Sequence, residues 1–144
     1  MIINILLTGG SGFIGTEILG DLKKFGTVLV TNRSNNHQKD ISINIDFNDP
    51  KSINNIYLRM KKIDIVVFLI GLAHEKGSKA TESEHIKTNY QTLANLINSM
   101  KLNNCLPNKI IFASTISVYG ERQNITSYSE ETDTMPVTPY AVSK

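Results

Sequence analysis

Tyr140 and Lys144 stand four residues apart in the stretch Tyr140-Ala141-Val142-Ser143-Lys144. If that stretch opens a helix, the two side chains share one face at i, i+4. A phenol has a pKa of about 10 and needs help to give or take a proton at neutral pH. A neighbouring ammonium favours the phenolate and lowers that pKa. Thr115 follows an apolar run over residues 109–113, and its hydroxyl can bond the same substrate oxygen. Together the three side chains suit proton transfer coupled to hydride transfer at an alcohol or ketone carbon. Alone, a Tyr and a Lys at helical spacing read more simply as two surface residues. A second feature near the start of the chain tips that balance.

That feature is Thr8-Gly9-Gly10-Ser11-Gly12-Phe13-Ile14-Gly15, which holds Gly-x-Gly-x-x-Gly in Gly10, Gly12 and Gly15. Before it, residues 2–7 form an apolar run that reads as a buried strand. After it, Ile14, Ile18, Leu22 and Phe25 form a helical stripe. Strand, glycine turn and helix are the context in which this pattern means dinucleotide binding. Glycine permits the tight turn and lets the backbone approach a pyrophosphate, whose charge sits on the free N–H groups of the helix N-terminus. An oxidised nicotinamide would add its charge to that of Lys144 in favouring the phenolate of Tyr140. With no ligand the pattern is only a strand-to-helix turn; the two flanks favour the nucleotide.

The remaining elements must position these two features. Gly26 ends the first helix in the manner of a C′ glycine. Residues 27–31 read as a second strand, 32–40 as a loop, and 41–45 as a third strand half exposed at the sheet edge. Asp49 and Pro50 start the next helix as N-cap and first helical residue. Its apolar face is Ile53, Ile56, Tyr57 and Met60. Residues 63–70 are nearly all apolar, as in a central parallel strand covered on both faces. After a polar loop over 71–80, Thr81-Glu82-Ser83-Glu84 offers a capping box for a longer helix. The stripe of that helix is Ile86, Tyr90, Leu93, Ile97 and Met100. A loop over 103–108, a fifth strand over 109–113 and a polar loop over 120–135 follow. The alternation predicts a doubly wound parallel α/β sheet in the order 3-2-1-4-5. Its ligands bind beyond the carboxyl ends of the strands, where residues 9–15, 32–34, Asp46, Gly71 and Ser114-Thr115 all fall.

Composition bounds the partners. The 144 residues suffice for one domain with a real core, and 40% hydrophobic with 19% charged residues is ordinary for a globular protein. A net charge of +2 argues for neither a nucleic-acid nor a membrane partner. The single Cys105 excludes an intrachain disulfide, fits a reducing compartment and reads as a loop or helix-end filler. The N-terminal apolar run is too short for a signal peptide or a membrane span, so a cytoplasmic protein is expected. His74, in a loop, and His85, in a first helical turn, have no partners at metal-ligand spacing, so no metal site is expected.

On these residues the chain resembles the N-terminal part of an extended short-chain dehydrogenase/reductase of the nucleotide-sugar epimerase/dehydratase family, over essentially its whole length. The resemblance rests on residues 8–15, on Tyr140-x-x-x-Lys144 and on Phe112-Ala113-Ser114-Thr115-Ile116-Ser117-Val118-Tyr119-Gly120. It implies an NAD(P)-binding Rossmann fold in which Thr115, Tyr140 and Lys144 are catalytic. It implies cofactor contacts from Gly9, Gly12, Phe13, Ile14, Gly15, Asp46, Phe47, Leu69, Ile70, Gly71 and Asn89, and again from Tyr140 and Lys144. Many members carry an Asp after the second strand, where this chain has Asn32-Arg33-Ser34. Arg33 can accommodate a 2′-phosphate, so between NAD and NADP the sequence leans to NADP. Phe68-Leu69-Ile70-Gly71 stands where the family usually has His-(Phe/Leu)-Ala-(Ala/Gly), and Thr92 where a Gly is common. The resemblance further implies a nucleotide-sugar substrate and a homodimeric full-length protein. The substrate domain is expected beyond residue 144, which leaves residues 1–144 an incomplete NAD(P)-binding domain, inactive alone. A reductase of a non-sugar carbonyl and a non-catalytic NAD(P) sensor are the alternatives. A sensor would not need Thr115, Tyr140 and Lys144.

Overall fold

The computed structural model describes residues 2–32, 42–73, 79–121 and 127–144. In chain order the elements are β1 (Ile3–Thr8), α1 (Phe13–Phe25), β2 (Gly26–Asn32), β3 (Ser42–Asn44), α2 (Pro50–Arg59), β4 (Ile65–Phe68) and α3 (Glu82–His85). A π-helical segment (Ile86–Gln91), α4 (Thr92–Leu102), β5 (Lys109–Phe112), a 3-10 turn (Ile116–Tyr119) and α5 (Pro139–Val142) complete it. These elements gather into two compact units, Met1–Ile70 with Thr92–Ala113, and Gly71–Gln91 with Ser114–Lys144.

The first unit is built on a five-stranded sheet in the order β3-β2-β1-β4-β5, as the alternation of elements predicts. Every pairing is parallel, and Leu6 sits opposite both Leu29 and Val66. All five carboxyl ends therefore lie on one edge of the sheet. Side chains alternate between the two faces of a strand. On one face Ile5, Leu7, Val28, Val30 and Val67 pack under Ile18, Leu19 and Leu22 of α1. On the other, Leu6, Leu29, Val66 and Phe68 pack with Ile53 and Ile56 of α2 and Leu96 and Met100 of α4. Removing this apolar surface from water, worth about 25 cal/mol per Å², is what makes the sheet double-covered. Asp49 caps α2 by accepting from the Lys51 N–H at 3.0 Å, with Pro50 as the first helical residue.

Four local expectations need correction. Gly26 is not a left-handed C′ residue: its φ of 172° is extended, and it is already the first residue of β2. A Cβ there would overlap the Ile3 carbonyl oxygen, so the neighbouring strand dictates the glycine. The inward face of α1 is Gly15, Ile18, Leu19 and Leu22, which leaves Ile14 and Phe25 at 51% and 68% exposed. Both lie at the ends of the helix, where the sheet no longer covers them. The capping box forms: Thr81 N–H donates to Glu84 at 2.7 Å, and Glu84 N–H donates to the Thr81 hydroxyl at 3.3 Å. Residues 86–91 are nevertheless π-helical, and the i→i+5 winding breaks a stripe spaced for 3.6 residues per turn. Tyr90 is 58% exposed, whereas His85 and Asn89 are buried. Lastly, β5 ends at Phe112 and is an edge strand with both Ile110 and Ile111 exposed. Arg33, Ser34 and His74 lie outside the described residues.

Candidate functional site

In the first unit the chain leaves β1 at Thr8 and turns through Gly9, whose φ of +71° L side chains rarely adopt. The N–H groups of Gly9 and Gly10 donate to the Thr31 carbonyl at 3.2 and 3.3 Å, which ties the turn to the end of β2. α1 then begins with Gly12 as N-cap, which offers no side-chain bond, and no acidic residue stands in the first turn. The positive end of the helix is thus left for an external anion. Gly15 lets the helix sit on the turn: a Cβ there would lie 2.6 Å from the Gly9 carbonyl oxygen and 2.7 Å from the Gly10 Cα. Phe13 and Ile14 are both exposed beside this turn.

The other first-unit candidates divide. Leu69 N–H donates to the Thr8 carbonyl and hydroxyl, each at 3.3 Å, so the residue after β4 is held against the turn. Ile70 packs on the core. Phe47 is buried in it, edge-on to Phe68 at 6.2 Å, and its carbonyl accepts from Asn95 at 2.8 Å. Asp46 is exposed, and its carboxylate accepts from Asn48 N–H at 2.9 Å and Asn48 Nδ2 at 3.3 Å. At the end of β2, the buried amide oxygen of Asn32 has no hydrogen-bond partner. A glycine cradle at a bare helix N-terminus and an orphaned acceptor beside it fit a dinucleotide.

In the second unit Gly71, Asn89, Tyr140, Ser143 and Lys144 converge. Thr138 and Pro139 start α5, with the Thr138 hydroxyl accepting from Ala141 N–H at 3.2 Å. Asn89 is fully buried, and its amide is spent on the protein. Its oxygen accepts from Leu72 N–H at 2.6 Å, and its nitrogen donates to the Leu72 carbonyl at 3.3 Å and to Ser143 Oγ at 2.8 Å. Ser143 Oγ in turn donates to the Tyr140 carbonyl at 2.7 Å. A Cβ on Gly71 would stand 2.9 Å from Lys144 Nζ, so the missing side chain is the room the ammonium uses. Lys144 Nζ lies 5.9 Å from the centre of the Tyr140 ring. Burial disfavours the charged amine and pushes the Lys144 pKa down. The Thr115 hydroxyl accepts from Ser117 N–H at 3.3 Å and so caps the 3-10 turn, which packs against α5.

The sequence assigns His85 only a place in a first helical turn and gives Ser143 no role, yet both belong to this cluster. His85 is 3% exposed and meets the Tyr140 ring edge-to-face at 5.8 Å. Ser143 is 4% exposed and joins Asn89 to Tyr140. The available signals were the i, i+4 spacing of His85 and Asn89 and the place of Ser143 one turn after Tyr140. Among the described residues, no three His, Cys, Asp or Glu side chains are grouped to hold a metal ion. No helix among them is long and apolar enough to cross a membrane.

Comparison with known proteins gives these features a setting. The model of the NAD dependent epimerase/dehydratase family matches residues 5–144. The ADP-L-glycero-D-manno-heptose-6-epimerase of Brachyspira hyodysenteriae is 31% identical, over 97% of this chain and 45% of its own length. The UDP-glucose 4-epimerase of Thermotoga maritima, solved with UDP-glucose, matches with a TM-score of 0.83 at 25% identity, over 99% of this chain and 48% of that one. The UDP-glucose 4-epimerase of Thermus thermophilus, solved in complex with NAD, matches with a TM-score of 0.81 at 26% identity, over 99% of this chain and 47% of that one. The chain spans a little under half the length of these relatives.

Proposed function

The chain belongs to the NAD-dependent epimerase/dehydratase family, and from that membership we propose that it is the NAD(P)-binding half of an enzyme acting on a nucleotide-activated sugar. Residues 1–144 are then an incomplete Rossmann domain, with the substrate-binding portion outside this chain. Relatives solved with UDP-glucose and with NAD support both the substrate class and the cofactor. The lean to NADP rests on Arg33 following Thr31-Asn32, with no carboxylate there to repel a 2′-phosphate. We assign the whole protein to the cytoplasm, in keeping with the single cysteine of residues 1–144, and expect it to be a homodimer.

The bound nicotinamide supplies a hydride acceptor and donor. The chain's own residues do the rest. The glycine turn and the first amides of α1 hold the pyrophosphate. Tyr140 takes the proton of the sugar hydroxyl and returns it. Lys144 sets an ammonium beside Tyr140 and orients the ribose, and Thr115 holds the same substrate oxygen as Tyr140. The observation that carries this reading is the Lys144 ammonium, drawn partly out of water into the space beside Gly71 and 5.9 Å from the Tyr140 ring.

In the full-length enzyme Tyr140→Phe should cut turnover roughly a thousandfold and leave NAD(P) affinity nearly intact. Turnover near that of wild type would remove Tyr140 from the chemistry.

A further inference from the structure

His85 is the last residue of α3 and is buried. The chemistry proposed above makes no use of it. Its neighbours in the chain are held on both sides. The capping box of Thr81 and Glu84 closes the start of α3, and the buried Asn89 grips Leu72 and Ser143. α3 packs against α5, and there the His85 imidazole meets the Tyr140 ring with centroids 5.8 Å apart and planes at 60°. At that separation two rings attract, the positive edge of one towards the negative face of the other. α5 is gripped at a second point as well: Asn89 Nδ2 donates to Ser143 Oγ, which donates to the Tyr140 carbonyl. The two grips fix different things. The Asn89 link ends on backbone and sets where α5 lies. The His85 contact ends on the phenol ring and sets where that side chain points.

We propose that His85 is a positioning residue for Tyr140, holding the phenol ring in the orientation from which its hydroxyl reaches the sugar oxygen. The inference rests on the reading that Tyr140 moves the proton, and it deepens that reading. The hydroxyl sits at the far end of the side chain. Rotation about the Cα–Cβ bond, within one staggered well or into another, carries the oxygen with it. A misplacement of about 1 Å can cost roughly a hundredfold in rate. α5 is only four residues long with Tyr140 as its second, so the helix itself offers the ring little support. The Lys144 ammonium, 5.9 Å from the ring centre, stands at the limit of a cation–π contact. The imidazole acts here through its ring. Another aromatic ring of similar size serves the same purpose, and a flexible polar side chain does not.

Steady-state kinetics of the full-length enzyme, with NAD(P) and a panel of nucleotide sugars, tests this on wild type, His85→Ala, His85→Gln, His85→Phe and Tyr140→Phe. His85→Ala and His85→Gln should lower kcat roughly tenfold and leave KM within about twofold. His85→Phe keeps an aromatic ring against Tyr140 and should recover most of that loss. A thermal melt of each variant separates lost positioning from lost folding. If the alanine variant does not fold, the glutamine and phenylalanine variants, which fill the space, decide. Unchanged kcat in the alanine and glutamine variants, or equal losses in all three His85 variants, would overturn the role of His85, and an inactive Tyr140→Phe beside them would leave the reading of Tyr140 standing. Full turnover by Tyr140→Phe, or conversion of no sugar by wild type, would overturn both.

Discussion

Burial changes the acid–base behaviour of single residues in this chain in ways that stability measurements can read. Tyr57 donates its hydroxyl proton to Ser99 Oγ at 3.0 Å, and burial pushes its pKa up to about 12. The unfolded chain releases that proton near pH 10, as a free phenol does. Between those values the folded state binds more protons, so Tyr57 makes stability fall as pH rises from about 10 to about 12. The Cys105 thiol is also pushed up by burial and acts in the same direction. Lys144 acts oppositely. Its folded pKa is lowered, so the unfolded chain holds the extra proton, and stability rises as pH approaches the ordinary lysine value of about 10.4. Urea unfolding across alkaline pH separates these contributions. Tyr57→Phe should remove part of the fall, at a neutral-pH cost of about 1 kcal/mol. Lys144→Met should flatten the rise. Unchanged alkaline slopes in both variants would place the titrations on other groups.

At the scale of elements, two junctions depend on one residue each. α1 meets the glycine turn only because Gly15 has no side chain. Gly15→Ala would drive a methyl group into the Gly9 carbonyl, so the helix must lift off the turn. We expect a clear loss of dinucleotide affinity and a lower melting temperature, by titration and by circular dichroism. Full affinity in that variant would mean that the junction gives way easily. The π-helical segment depends on Asn89, which ties Leu72 and Ser143 together. Asn89→Ala takes the acceptor from the part-buried Leu72 N–H and should cost about 1–3 kcal/mol. Ser143→Ala leaves both Leu72 bonds in place and should cost less. Equal losses in denaturant titrations would show that the Ser143 link is the one that matters.

Across the whole molecule, apolar surface remains where the sheet ends. Ile110 and Ile111 on β5 are 36% and 48% exposed, and Leu106 before them is 55% exposed. Among the described residues β5 is also an edge strand of the sheet. Apolar surface on an edge strand promotes association between chains. The 144-residue chain should therefore self-associate as its concentration rises, by sedimentation velocity, and Ile111→Lys should shift it towards monomer. A concentration-independent monomer would show that this edge is inert. The chain spans under half the length of its relatives, so by itself it is expected to bind cofactor and to turn over no nucleotide sugar. Conversion of any nucleotide sugar in a panel to a new product by this chain with NAD(P) would refute that.

What could be read from residues alone was local or periodic. Apolar runs and turn residues specify the five-strand order, because the chain must alternate between burying strands and covering them. Asp49 and Thr81 announce their helices, since a cap acts within one turn. The glycine turn is legible for the same reason, and so is the i, i+4 pairing of Tyr140 with Lys144. Tertiary structure decided what depends on which distant residue arrives. Asn89 reaches Ser143 across 54 positions, and no periodicity within either stretch encodes that bond. His85 lies against Tyr140 because residues before Asn89 pack beside a helix formed far along the chain. Gly26 is glycine because the Ile3 carbonyl of β1 stands where its Cβ would be. The orphaned oxygen of Asn32 belongs to the same class: a missing partner is defined only once every neighbour is in place.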